Sequence, residues 1–177
     1  MLCFWHGQYI PIMALCRWLW IERRAETACV FTSLSARGAV IAEICRRFGL
    51  DCVLIPDGGH RYSYELMRDG LATHRAGVVA VDGPLGPNRK VKQGAIRLAS
   101  ELGFHLVPAS TFSERNWVMK QRWDKMEVPK PFSRTSLMMG EPIPVGRDLS
   151  RSQIRGLMRE LACRLECLEK QAISMIK

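Results

Sequence analysis

The stretch Gly77-Val78-Val79-Ala80-Val81-Asp82-Gly83-Pro84-Leu85-Gly86-Pro87-Asn88-Arg89-Lys90 begins as a strand and ends as a basic loop. Its first five residues are a short, mostly β-branched apolar run closed by a turn, too short for a helix. A strand that is apolar at every position is covered on both faces, as strands of parallel sheets are. Two Gly-Pro pairs then make a rigid, sharply turned loop. Asp82 stands at its entrance, and Arg89, Lys90 and Lys92 stand at its exit.

The same alternation extends outward from this stretch. Upstream, Val30-Phe31-Thr32 and Cys52-Val53-Leu54-Ile55 read as strands. Ala39 to Phe48, closed by Gly49, and Tyr64 to Leu71 read as helices. Downstream, Gly94 to Leu102 is a short helix closed by Gly103, and His105-Leu106-Val107-Pro108 starts a further strand. Residues 114–133 break the rhythm as a long excursion, and Arg134 to Met139 is a late strand. In the last segment Ser150 and Gln153 form a capping box. Ile154, Leu157, Met158, Leu161, Ala162, Leu165 and Leu168 then make an apolar stripe at helical spacing, which fits a helix packed on the sheet. Strand–helix alternation of this kind predicts an α/β fold, a mostly parallel central sheet flanked by helices. The chain of 177 residues is expected to be a single domain over 1–177.

The net charge of +9 favours polyanions, whether phosphorylated ligands or an anionic membrane surface. The basic residues are dispersed and no nucleic-acid motif is present, so nucleic acid is not expected as a partner. The seven cysteines are odd in number, lack a CxxC pair and sit mostly among apolar neighbours. They read as free thiols in a reducing compartment, with Cys163 and Cys167 packed within the last helix. Tyr9 to Ile21 is the most apolar long run, but Arg17 interrupts it before it could span a bilayer. Met1 opens straight into Leu2-Cys3-Phe4-Trp5, so further residues are expected upstream of it in the working protein.

In a parallel α/β sheet, chemistry gathers past the carboxyl ends of the strands. Three loops qualify: His6-Gly7-Gln8, Asp57-Gly58-Gly59-His60-Arg61 and the loop from Asp82 to Lys90. Each joins a titratable side chain to glycine, which lets backbone approach a ligand closely. A histidine at a strand end is suited to general base work near neutral pH, which singles out His6. The cations closing the third loop suit a phosphate. His60, His74 and His105 have weaker claims.

Phe4-Trp5-His6-Gly7, Asp82-Gly83-Pro84-x-Gly86-Pro87 and Gly140-Glu141-Pro142-Ile143 occur in that order. Together they resemble the lysophospholipid acyltransferase superfamily, in particular a bacterial branch related to the lipid A acyltransferases. Trp117, Trp123 and Pro131-Phe132-Ser133-Arg134 resemble that branch's tryptophan-rich segment. The resemblance covers roughly residues 2 to 145. It implies a glycerol-phosphate acyltransferase-like fold and transfer of a fatty acyl group to a hydroxyl of a lysophospholipid or lipid A-type acceptor. The donor would be acyl-CoA or acyl carrier protein, with no cofactor and no metal. His6 matches the base that deprotonates the acceptor, and the Asp82-Gly83-Pro84 loop matches the segment that holds the acceptor's phosphate. Arg89 and Lys90 are then candidate phosphate ligands, with Asp57 and Arg61 of the second loop as further substrate-binding candidates. The implied place of action is the cytoplasmic face of the inner membrane, as a peripheral protein. Trp18, Trp20, Trp117 and Trp123 are candidates for contact with the lipid, and Trp5 for the core.

The chain departs from the family pattern at an informative place. Most of the superfamily carries an acid five residues after the histidine, where this chain has Pro11. Some other group must then hold His6, with Asp82 the first candidate and Asp57 the second. Arg37 also stands before Gly38, where the branch usually has an acid. The competing reading is a weak or inactive relative that binds an anionic lipid or a phosphorylated ligand.

Overall fold

The computed structural model describes residues 1–22, 26–56 and 60–176. Along the chain, β1 (Leu2–Phe4) leads through a 3₁₀ turn (His6–Gln8) into α1 (Tyr9–Glu22), followed by β2 (Ala28–Ser33) and α2 (Ala36–Arg47). Next come β3 (Leu50–Ile55), α3 (His60–Ala72), β4 (Val78–Ala80) and α4 (Gln93–Leu102). The remainder is β5 (Val107–Ser113), β6 (Asn116–Val118), β7 (Glu127–Pro129), β8 (Thr135–Met139) and α5 (Arg151–Ser174). The fold is mixed α/β with partly parallel sheets, and it forms two compact units, residues 13–79 and residues 1–12 with 80–177.

In the unit of residues 13–79, β2 and β3 run parallel, from Ala28 opposite Leu50 to Ser33 opposite Ile55. Ser35 caps α2 by accepting from the Gly38 N–H at 3.1 Å, which satisfies one of the amides a helix start leaves without a partner.

The other unit holds the strand ends of interest. In it β1 runs parallel to β5, with Leu2 opposite Val107. The Val81 N–H, just past β4, donates to the Phe4 carbonyl at 3.0 Å. The pairing of β5 with β8 is antiparallel, from Ala109 opposite Met139 to Ser113 opposite Thr135. The parallel pairing of β1 with β5 fits the mostly parallel sheet expected from the sequence, and β8 adds an antiparallel strand at its edge. The physical sign is that β8 is exposed at every second residue, as antiparallel strands with one wet face are. The excursion over 114–133 holds the antiparallel pair β6 and β7, with Trp117 opposite Val128.

Helix α5 starts at the expected capping box of Ser150 and Gln153. Its buried residues Ile154, Leu161, Leu165, Leu168 and Ala172 face β5, β8 and α4. Leu161 and Leu165 have no exposed surface, and each such leucine contributes roughly 1.5–3 kcal/mol by leaving water. Cys163 and Cys167 are exposed, so their expected packing role is corrected. They fall on the side of α5 away from the leucine stripe. Cys3, Cys16, Cys29 and Cys45 are buried free thiols. Trp5 is core, at 1% exposure.

Candidate functional site

Strand β1 ends at Phe4, and the chain turns at once into the 3₁₀ turn that carries His6. Gln8 anchors that turn. Its buried amide donates to the Thr111 carbonyl at 3.0 Å and accepts from Ser110 Oγ at 3.1 Å and from the Thr111 N–H at 3.3 Å. Both ends of the amide are thus bonded to β5, so the turn is fixed to the sheet.

Asp82 follows β4 and is fully buried. One carboxylate oxygen accepts from the His6 backbone N–H at 2.8 Å, and the other accepts from the Arg89 backbone N–H at 3.1 Å. It ties the histidine turn to the far end of the Gly-Pro loop. Burial raises its pKa, opposed by those two N–H groups.

The imidazole of His6 has a different partner. Its Nδ1 lies 2.7 Å from Oδ2 of Asp124, in the loop between β6 and β7. The Asp124 side chain has no exposed surface, and that of His6 is 28% exposed. Arg122 grips the same carboxylate with two bonds, Nε to Oδ1 at 2.9 Å and Nη2 to Oδ2 at 2.7 Å. The Met126 backbone N–H adds a third donor at 3.3 Å. Burial pushes the Asp124 carboxyl upward, but the hydrogen bonds from Arg122 and His6 and their charges outweigh it and hold it down to about 2. The carboxylate is therefore ionised at any working pH, and it fixes both the orientation and the tautomer of the ring.

Two glycines make this approach possible. A Cβ on Gly7 would lie 2.3 Å from the Asp124 carbonyl oxygen, a distance no side chain tolerates. A Cβ on Gly86, at φ +65°, would lie 2.6 Å from the Trp123 ring. Trp123 in turn sits 5.1 Å from the His6 ring, centroid to centroid. The glycines of the histidine motif and of the Gly-Pro loop thus admit the excursion to the site.

The sequence-derived candidates divide accordingly. His6 and Asp82 are brought together, but Asp82 holds the backbone of His6 and not its ring, so its expected role as partner of the imidazole is corrected to positioning. The ring goes to Asp124 because the 3₁₀ turn presents the His6 amide to Asp82. Gly83 adopts φ +69° beside the Lys92 side chain, and Pro84 is exposed. Arg89 does not offer a free guanidinium: both terminal nitrogens bond Glu169 of α5, at 2.6 and 2.5 Å. Its expected role as phosphate ligand is corrected to a buttress of the loop. Lys90 is exposed. Arg61 lies on α3 in the unit of residues 13–79, where it pairs with Glu65. Asp57 lies outside the described residues. Asp124, Arg122, Gln8 and Glu169 were not legible as site residues in the sequence. The available signal for Asp124 was an acid directly after Trp123, between the cations Arg122 and Lys125.

Among the described residues no group of three His, Cys, Asp or Glu side chains is placed to hold a metal ion. None of their helices is long and apolar enough to cross a membrane. Trp18, Trp20 and Trp117 are exposed, at 47%, 39% and 54%.

No family model matches the chain. No solved structure matches it. It is similar to the uncharacterized protein RP090 of Rickettsia prowazekii (strain Madrid E), with 26% identity over 170 residues, which cover 94% of this chain and 73% of that protein.

Proposed function

We propose that this protein is an acyltransferase in which His6 is the general base, oriented by Asp124. The observation that carries the reading is the 2.7 Å contact between His6 Nδ1 and the buried carboxylate of Asp124. With Nδ1 so occupied, Nε2 is the nitrogen left to accept a proton from an acceptor hydroxyl. The acceptor oxygen then attacks the carbonyl carbon of a thioester donor. The carbon–sulfur bond breaks, and the departing thiolate takes the proton back from the imidazolium. The negative charge of Asp124 stabilises that imidazolium, and Arg122 keeps the carboxylate in place. No cofactor enters this chemistry.

The resemblance over residues 2 to 145 supports a fatty acyl donor, carried by CoA or by acyl carrier protein, and a lipid hydroxyl as acceptor. The exposed tryptophans beside basic residues support action at an anionic membrane surface, as a peripheral protein. The contact with Asp124 supports this reading over an inactive relative, since Asp124 can serve where Pro11 offers no acid.

The test is acyl release from labelled acyl-CoA and acyl carrier protein with mixed lysophospholipid and lipid A-type acceptors. Transfer by the wild type that disappears in His6→Ala supports the reading. A folded wild type that binds anionic lipid but transfers nothing would overturn it in favour of a binding protein.

A further inference from the structure

We propose that a basic cavity between α4 and α5 binds a ligand carrying two or more clustered phosphate groups. The cavity has a volume of 530 Å³ and is walled by Lys90, Lys92, Arg97, Arg151 and Arg155 around Val91, Ile154 and Met158. A neighbouring cavity of 330 Å³ shares Lys90, Val91, Arg155 and Met158 with it and adds Arg89 and Arg159, so the two form one groove. No carboxylate lines either cavity.

Three observations point to an anion. The first is the pairing pattern of the cations. Elsewhere in the described structure some cations are matched by a carboxylate, as Arg46, Arg47, Arg75, Arg134 and Arg164 are, and others, such as Arg37, Lys120 and Arg147, form no ion pair. What marks the groove is the number of cations gathered with no carboxylate among them. Among the described residues, Lys90, Lys92, Arg97, Arg151, Arg155 and Arg159 form no ion pair, and these six meet at one groove. Like charges so gathered repel one another, and a bound anion removes that cost.

The second is their placement on the helices. Arg151 is the first residue of α5, and Lys92 is the N-cap of α4 without a side-chain cap bond. Neither helix has an acid in its first turn. Cations at the positive end of a helix dipole oppose local stability, and the positive end favours an anion, the more so at α4, whose N-cap makes no side-chain cap bond. Two helix starts carry the same unfavourable choice, and both face the same space.

The third is size. Five or six cations exceed what one phosphate needs. The apolar Val91, Ile154 and Met158 beside them offer a seat for the group that bears the phosphates, and the volume suits a small ligand. The groove is joined to the histidine through the loop, since the backbone N–H of Arg89 and that of His6 share the Asp82 carboxylate.

Clustered phosphates occur on soluble nucleotides and on anionic lipid headgroups, and one experiment separates the two sources. Pyrophosphate and orthophosphate are titrated calorimetrically into the wild-type chain, the double variant Arg151→Ala/Arg155→Ala and the control Arg46→Ala/Arg164→Ala, which loses the same charge elsewhere. Pyrophosphate should bind about tenfold or more tightly than orthophosphate, and the groove variant should lose about tenfold or more while the control does not. Release of bound pyrophosphate by ADP assigns the site to a nucleotide, and release by cardiolipin vesicles assigns it to a headgroup. Equal affinity for the two phosphates, or unchanged binding in the groove variant, overturns the proposal. Arg46, Arg151 and Arg155 are exposed and Arg164 is half-buried, and circular dichroism checks that the variants fold. The site does not depend on acyl transfer. Repeating the titration with His6→Ala keeps a failure of polyphosphate binding distinct from a failure of catalysis.

Discussion

Asp124 lies 118 residues beyond His6 in the chain and 2.7 Å from its Nδ1 in space. The first turn of α1, next in the chain after the histidine turn, offers it no acid and holds Pro11. The proline costs that turn no hydrogen bond, since amides at a helix start have no partner within the helix. The support comes from the loop between β6 and β7, and it arrives already charged and held by Arg122.

Asp124→Asn should lower the rate of acyl transfer by about 10²- to 10⁴-fold, because the ring loses its fixed tautomer and the charge that stabilises the imidazolium. KM for the donor should change little. Steady-state kinetics of the variant beside the wild type decides this. An unchanged rate would remove Asp124 from the mechanism.

The acid side of stability should carry the mark of the same carboxylate. Its folded value of about 2 lies below the ordinary 3.8, so between the two the folded chain holds fewer protons than the unfolded chain. Asp124 therefore contributes its full stabilisation above the ordinary value and loses it as the pH falls toward 2, by roughly 2 kcal/mol in all. Urea unfolding of the wild type and Asp124→Asn should show a gap at about pH 5 that narrows by that amount near pH 2. A gap independent of pH would contradict the assignment.

Asp82→Asn replaces one of two acceptor oxygens by a donor, and the amide cannot accept from both His6 and Arg89. A backbone N–H is left facing a donor, at a cost of about 1–3 kcal/mol. The midpoint of thermal unfolding reads the loss. Transfer should fall as well, because the turn bearing His6 and the Gly-Pro loop are no longer held by one group.

Gly7→Ala should be far more damaging than a methyl group suggests. The added carbon meets the Asp124 carbonyl at 2.3 Å, and either the 3₁₀ turn or the β6–β7 loop must move. We expect a loss of about 1–3 kcal/mol and of most of the transfer activity. Gly94→Ala is the control: its added carbon meets nothing within 4 Å. Alanine in α4 should be neutral or stabilising by up to about 1 kcal/mol.

How much of this could be read from the residues follows the range of the forces involved. The strand at 77–81 and the helix after Ser150 obey local periods and local capping, and both stand where the sequence put them. His6 and Asp82 were legible because strand ends in α/β sheets collect functional groups. The bond between Asp124 and His6 has no local signature. It depends on the register of β6 against β7, on the glycines that admit close approach and on the turn that gives the His6 amide to Asp82. The pairing of Arg89 with Glu169 was hidden for the same reason: a cation beside a Gly-Pro loop looks free until α5 is laid against it. The antiparallel β8 shows its alternating exposure only once its partner β5 is known.

That the histidine and its acid stand at opposite ends of a long stretch of chain also sets an order of events during synthesis. A chain growing from its amino end displays His6 early, while Asp124 has yet to be made. Until β6 and β7 have formed and closed on the 3₁₀ turn, the imidazole has no fixed tautomer and no neighbouring charge. The supported imidazole is thereby deferred to the finished fold, and an unfinished chain presents His6 without its acid.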